Sequence, residues 1–252
     1  MVIAMNEPYI PVDILAFGAH PDDVEMGCGG LLALAQSRGA RTAIIDCTRG
    51  EMASRGTAEE RDVESAAAAA ILRVTARRNL NLGDGRLMDT LENRDIIAAE
   101  IRRFTPKLLL IPYAGDRHPD HDAAGRMIQA AVFYARMKNR ILIDQETGTE
   151  LAAHAPDLSL VFPMHEMERP TLVVDVSAVH GQKMEAVKAF RSQFYTDMPA
   201  DYKFIGTHDY IRMMEARGVY YGSMIQADYG EPYICRTPLK IGDPLTQLLG
   251  ML

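Results

Sequence analysis

Histidine and aspartate recur together at two places in this chain, His20-Pro21-Asp22-Asp23 and His118-Pro119-Asp120-His121. Each cluster follows an apolar run of strand character, residues 13–18 in the first case and 108–111 in the second. Neutral imidazoles with a carboxylate suit zinc or another divalent transition ion such as Fe2+, and a catalytic zinc keeps three protein ligands with a further position open. His20 and Asp23, three apart across a turn, can face one centre, and His121 can complete the set from a second strand end. Hydrolysis at such a centre needs a base for the attacking water, a donor for the oxyanion, and a partner that fixes a histidine tautomer. Asp22, His118 and Asp120 are the residues left over, and they match those needs in number and type. Pro21 and Pro119 stiffen both turns.

Two loops distant in sequence meet only if a scaffold brings their strand ends together. The hydrophobic pattern provides for one. After the first strand, helical spacing covers residues 27–39, a strand 42–47, and a capping-box start at Thr57 with Glu60 leads into the alanine-rich stretch 65–72. A short strand is expected at 79–82, helices at 91–104 and 122–138, and later strands at 160–162 and 171–175. Helices at 179–194 and 208–216 follow, with a polar, turn-rich stretch at 195–206 between them and an extended tail after Tyr229. Strand and helix in alternation imply right-handed crossovers, hence a Rossmann-like α/β fold, its sheet mostly parallel with helices on both faces. Ligands in such sheets gather beyond the carboxyl ends of the strands. With no long linker in view, one domain is expected over residues 1–252, a core of about 12–138 followed by a C-terminal elaboration of about 139–252.

Composition narrows the function classes. The balance of 27 Lys+Arg against 34 Asp+Glu, −7 overall, lacks the basic footprint of a nucleic-acid binder. Three widely spaced cysteines, Cys28, Cys47 and Cys235, without CxxC, argue against a disulfide framework or thiolate zinc. No basic stretch with a following apolar run opens the chain, and no run of membrane-spanning length occurs, so a soluble cytoplasmic protein is expected. The segment Gly27-Cys28-Gly29-Gly30 is a poor match to a dinucleotide turn and reads better as close helix packing, although Asp46 could stand in a ribose-binding place. His154, His165, His180 and His208 fall in loops or at helix ends, where surface or packing roles are the ordinary reading. His165, just after a late strand, has a route to the pocket.

The motif Ala19-His20-Pro21-Asp22-Asp23-Val24-Glu25 with Gly29-Gly30, then Thr48-Arg49-Gly50-Glu51, then His118-Pro119-Asp120-His121, resembles the zinc-dependent de-N-acetylases of the PIG-L or LmbE-like family. Arg49-Gly50-Glu51-Met52, Arg55-Gly56-Thr57, Gly115-Asp116-Arg117-His118, Phe190-Arg191-Ser192-Gln193-Phe194 and Tyr229-Gly230-Glu231 are most similar to the branch that deacetylates N-acetylglucosaminyl-malate in bacillithiol biosynthesis. The resemblance implies a metal held by His20, Asp23 and His121 and a general base in Asp22. His118 would stabilise the oxyanion and protonate the leaving amine, oriented by Asp120. It further implies substrate contacts from Arg61 and Arg117, with Arg49 and Arg55 as weaker candidates, a small amino-sugar conjugate as substrate, and a homo-oligomer. Some relatives carry a mobile tyrosine where this chain has Asp116, so gating of that kind is not expected. Two histidines and a carboxylate also make the triad of a non-haem iron oxygenase, an alternative disfavoured by the α/β pattern and the unspent Asp22; a nucleotide-binding module is the other alternative.

Overall fold

The computed structural model describes residues 11–194 and 208–239; the stretch at 195–206 and residues 1–10 lie outside the described residues. Strands β1 (Ile14–Gly18), β2 (Thr42–Asp46), β3 (Ala76–Asn79), β4 (Leu108–Pro112) and β5 (Leu158–Phe162) form a five-stranded sheet in the order β3-β2-β1-β4-β5. Every pairing in it is parallel. Successive strand side chains point to opposite faces. Leu15, Phe17, Ala43, Ile45, Leu109 and Ile111 share one core with residues of α3 (Leu91–Phe104) and α4 (Pro119–Arg136). Ile14, Ala16, Ile44 and Leu110 share the other with α1 (Asp23–Ser37), α2 (Ala58–Leu72) and α5 (His180–Lys188). Burial on both faces is why these strands read as continuous apolar runs.

The strand order decides where chemistry can occur. From β1 the chain winds outward through β2 to β3, then returns to β4 on the other side of β1. Loops leaving β1 and β4 therefore diverge and open a crevice at the carboxyl end of the sheet. His20 follows β1 and His118 follows β4. Beyond β5, α6 (His208–Ser223) and a two-stranded antiparallel sheet of β6 (Leu172–Asp175) and β7 (Gly230–Tyr233) complete the described chain, and an isolated bridge from Val161 to Ile234 joins that part to β5. Among the described residues no helix is long and apolar enough to cross a membrane.

Several boundaries differ from the sequence expectation, for identifiable reasons. Helices α1 and α4 begin earlier, at Asp23 and Pro119, because each His-Pro-Asp turn runs straight into its helix, with Pro119 in the first turn where a missing N–H costs nothing. Strand β3 lies at residues 76–79 rather than 79–82. Arg77 and Arg78 disguised it, but their charges are met by carboxylates, Glu25 and Asp46 for Arg77, Glu100 and Glu146 for Arg78. Helix α6 runs on to Ser223 past Gly218 and Gly222. Those glycines permit contact, since a Cβ at Gly222 would stand 2.6 Å from the Ala227 carbonyl oxygen. Gly27 does the same in α1, where a Cβ would meet the Phe162 ring at 2.2 Å, so the glycine segment serves close packing on β5. The ribose place is also taken: Asp46 accepts two bonds from Arg77, at 2.7 and 2.9 Å.

Candidate active site

Four donor atoms of three residues converge in the crevice between β1 and β4. His20 Nδ1 lies 3.2 Å from His121 Nε2, His121 Nε2 lies 3.3 Å from Asp23 Oδ1, and Asp23 Oδ2 lies 3.7 Å from His20 Nδ1. Donors about 2.0–2.1 Å from a tetrahedral ion stand roughly 3.3–3.5 Å from one another, so each of these separations is of the size found between ligands of one metal ion. His20, Asp23 and His121 are all buried.

Carboxylates stand behind both imidazoles. His20 Nε2 is 3.1 Å from Asp84 Oδ1 and 3.2 Å from Asp120 Oδ2, and His121 Nδ1 is 3.2 Å from Asp116 Oδ1. A carboxylate on the far nitrogen fixes ring orientation and raises the basicity of a ligating histidine. The electrostatics agree. Burial alone would lower both histidines, but Asp120, Asp23 and Asp84 hold His20 well above its ordinary value, and Asp23 with Asp116 raises His121 to about 9. Such a nest favours positive charge, which a divalent cation would supply on displacing the protons.

Asp22 sits at the cap of α1 with φ 115° and ψ −24°, a left-handed conformation that costs a non-glycine residue of order 1–3 kcal/mol. The twist separates neighbouring carboxylates: Asp23 turns to the histidines, and Asp22 turns to Arg61, whose Nη1 is 3.1 Å from Asp22 Oδ2 and also bonds the Pro21 carbonyl. Burial raises Asp22 to about 7 against the opposing pull of Arg61.

His118 caps α4, its Nδ1 accepting the Asp120 backbone N–H at 3.2 Å. That bond leaves the proton of a neutral ring on Nε2, and burial beside His121 and His20 lowers the His118 value. The expected pairing of His118 with the Asp120 carboxylate is not what the fold makes. The carboxylate accepts from Gly85 N–H at 2.7 Å and Leu87 N–H at 3.2 Å and reaches His20, so Asp120 orients His20 and touches His118 only through its backbone. A cap side chain accepts the backbone N–H of the second or third helical residue, so His118 meets the Asp120 main chain and the carboxylate is left for other partners.

A cavity of about 450 Å³ opens over the centre, lined by His20, Asp22, Asp23 and His121, with His118, His165, Arg55 and Arg61 among its further walls. Of the four arginines expected at the substrate, Arg55 and Arg61 reach it. Arg117 is exposed outside the lining, and Arg49 is held away by Asp62 at 2.6 Å and Glu59 at 3.4 Å. Arg61 is itself engaged by Asp22, so it orients that carboxylate rather than standing ready for a ligand. Sequence reasoning missed Asp84, Tyr210 and Gln193 as lining residues. Asp84 sits between Gly83 and Gly85, both at positive φ, a turn with no chemical signature of its own. Asp116 carried a faint signal, standing two residues before His118, and His165 followed a strand end.

Comparison with known proteins places these features in a lineage. The model of the PIG-L family, GlcNAc-PI de-N-acetylase, matches residues 15–132, which contain both clusters. Diacetylchitobiose deacetylase of Thermococcus kodakarensis is 30% identical over 240 residues, covering 90% of this chain and 84% of its own. A 1D-myo-inositol 2-acetamido-2-deoxy-alpha-D-glucopyranoside deacetylase of Saccharopolyspora erythraea is 28% identical, covering 73% of this chain and 78% of its own. The crystal structure of the conserved protein TT1542 from Thermus thermophilus superposes with a TM-score of 0.81 at 36% identity, covering 91% of this chain and 97% of that one.

Proposed function

The chain belongs to the PIG-L family of de-N-acetylases, and from that premise we propose that it hydrolyses the acetamide of an N-acetylglucosaminyl conjugate. The observation that carries the reading is the convergence of His20, Asp23 and His121, with donor atoms 3.2 to 3.7 Å apart pair by pair, in the lining of a cavity of about 450 Å³. A cavity of that size suits a small organic ligand. The residues fit zinc: two imidazoles and one carboxylate, from His20, His121 and Asp23, would hold it, and when bound it would polarise the acetamide carbonyl and make water acidic enough to attack at neutral pH.

The chain's own groups do the rest. Asp22, held by Arg61 beside the ligands, takes the proton from the attacking water. His118 offers Nε2–H, the donor left by its cap bond, to the oxygen on which charge develops. Asp120 and Asp84 keep His20 oriented, and Asp116 does so for His121. The finer assignment is N-acetylglucosaminyl-malate as substrate, in bacillithiol biosynthesis. It rests on the loop phrases of the resemblance and on Arg55 in the cavity wall, a guanidinium suited to gripping a carboxylate. A cytoplasmic homo-oligomer belongs to the same proposal and is carried by the resemblance alone.

Acetate release tests the reading directly. Purified protein loaded separately with zinc and with ferrous iron is given N-acetylglucosaminides bearing malate, inositol or a second sugar. Release from at least one conjugate is expected, with kcat/KM for the malyl compound exceeding that for a neutral one by about one to two orders of magnitude, the worth of a charge-assisted bond of roughly 1.5–3 kcal/mol. No acetate from any conjugate with either metal would overturn the deacetylase reading, whereas equal rates would remove only the malate assignment.

A further inference from the structure

Helix α1, which carries Asp23, is broken inside its span. Cys28 stands at φ −146° and ψ 16°, outside helical values. A residue in that conformation turns the next N–H groups off the i→i−4 ladder, and N–H groups shielded from water need another acceptor. The acceptor comes from the far end of the chain. Gly30 N–H donates to Glu231 Oε1 and Leu31 N–H to Glu231 Oε2, both at 2.7 Å. Glu231 does for the second part of α1 what a cap side chain does for an ordinary helix start, but it does so from β7.

The carboxylate is buried, and each of its oxygens takes a second donor: Lys183 Nζ of α5 bonds Oε1 at 2.7 Å, and the Tyr233 hydroxyl donates to Oε2 at 2.9 Å. Gly30 is a condition of this approach, since a Cβ there would stand 2.8 Å from Glu231 Oε1 and 2.9 Å from Val176. On the near side of the break, residues 23–27 form the turn that presents Asp23, entered through the left-handed Asp22. Met26 N–H donates to the Asp22 carbonyl at 3.0 Å, so the two neighbouring carboxylates move with this turn.

We propose that Glu231 is a positioning residue for the active site: by holding the break at Cys28 it sets the angle at which the first turn of α1 presents Asp22 and Asp23 to the cavity. Its effect on rate rests on the deacetylase reading above; its effect on metal affinity does not. Without the carboxylate, the Gly30 and Leu31 N–H groups are met most simply by a regular helix through residue 28, with φ there near −63°. The first turn then swings about that point. Asp23 lies about 7.5 Å from it at 1.5 Å per residue, so a swing of about 10° moves Asp23 by about 1 Å. A misplacement of about 1 Å is enough to cost about 10²-fold in rate. Lys183 acts differently, because it balances the charge of Glu231 and its removal leaves both N–H bonds in place.

The test sets Glu231→Gln and Gly30→Ala, which disturb the cap, against Lys183→Met, which leaves it. Zinc affinity is measured by competition with a chelator and melting by circular dichroism. Acetate release is followed at zinc saturation, on a conjugate the wild type cleaves and at a temperature where each variant is folded. All three variants should melt below wild type. The two cap variants should lose about 10-fold in zinc affinity and about 10–10²-fold in kcat with KM changed by less than about threefold, whereas Lys183→Met should keep affinity and kcat within about threefold of wild type. Wild-type-like affinity and kcat in folded Glu231→Gln would overturn the proposal, and if that variant does not fold, the same result in Gly30→Ala would do so. Equal losses in Lys183→Met would also overturn it, by making the defect one of stability alone. A wild type that binds zinc but releases no acetate would instead refute the deacetylase reading, and the affinity comparison would still decide the role of Glu231.

Discussion

Arg77→Met isolates the buried charge that locks α1 to the sheet behind the site. Arg77 Nη1 lies 2.5 Å from Glu25 Oε1, and its Nε and Nη2 lie 2.7 and 2.9 Å from the two oxygens of Asp46. Both carboxylates are buried, at 0% and 2% exposure. Methionine fills much of the same space without the charge, leaving two carboxylates in the core without the guanidinium that bonds both. Removing one partner of a buried pair costs about 3–5 kcal/mol, a large share of a typical stability of about 5–15 kcal/mol. Near its midpoint a chain of this size loses roughly 2–4 °C per kcal/mol, so the melting temperature should drop by about 6–20 °C. The loss must also depend on pH. Burial already raises Glu25 and Asp46 while Arg77 opposes it, and without Arg77 both rise further. A folded-state value above the unfolded one means that the folded state binds more protons, so stability falls as pH climbs through it. The variant should therefore be closest to wild type near pH 5 and furthest from it near pH 8. The chain has no tryptophan, so urea unfolding is followed by far-ultraviolet circular dichroism. Adding Glu25→Gln and Asp46→Asn should recover much of the loss and flatten the pH dependence. A deficit below about 1 kcal/mol that does not vary with pH would refute the reasoning.

Other perturbations probe the site and its support. Asp22→Asn should retain the metal and lose about 10²–10⁴-fold in acetate release, since it removes the base without touching the ligand triangle; near-normal turnover would take Asp22 out of the mechanism. Asp120→Asn should lower metal affinity by about 10–100-fold in a competition against a chelator, because its carboxylate orients His20. Unchanged affinity with a fall in kcat alone would return Asp120 to His118. Gly27→Ala should destabilise by about 1–3 kcal/mol, because the new methyl would meet the Phe162 ring at 2.2 Å, and a thermal melt equal to wild type would show that the ring yields freely. Arg117→Ala, at an exposed position outside the cavity lining, should leave KM for a malyl conjugate unchanged, while Arg55→Ala should raise it.

Much of the fold was legible because it is written in short-range patterns. Buried parallel strands leave apolar runs such as residues 108–111, and Thr57 with Glu60 forms the capping box that its spacing announces. The clusters at His20 and His118 were legible for the same reason, because each lies in one turn after one strand. Legibility failed where partners are remote. Arg77 and Arg78 hid β3, since only tertiary ion pairs make such a strand tolerable. Asp120 looked like the partner of its neighbour His118 but reaches across a hundred residues to His20. Asp84, Asp116 and His165 come from three separate loops and acquire roles only where those loops meet. The sequence by itself determined which donors exist and that two sets of them end at strand termini, because propensity, periodicity and turn chemistry act over a few residues. Which carboxylate serves which imidazole was decided by tertiary structure alone, because a hydrogen bond depends on where packed strands and helices set two atoms in space, and no spacing along the chain encodes that distance.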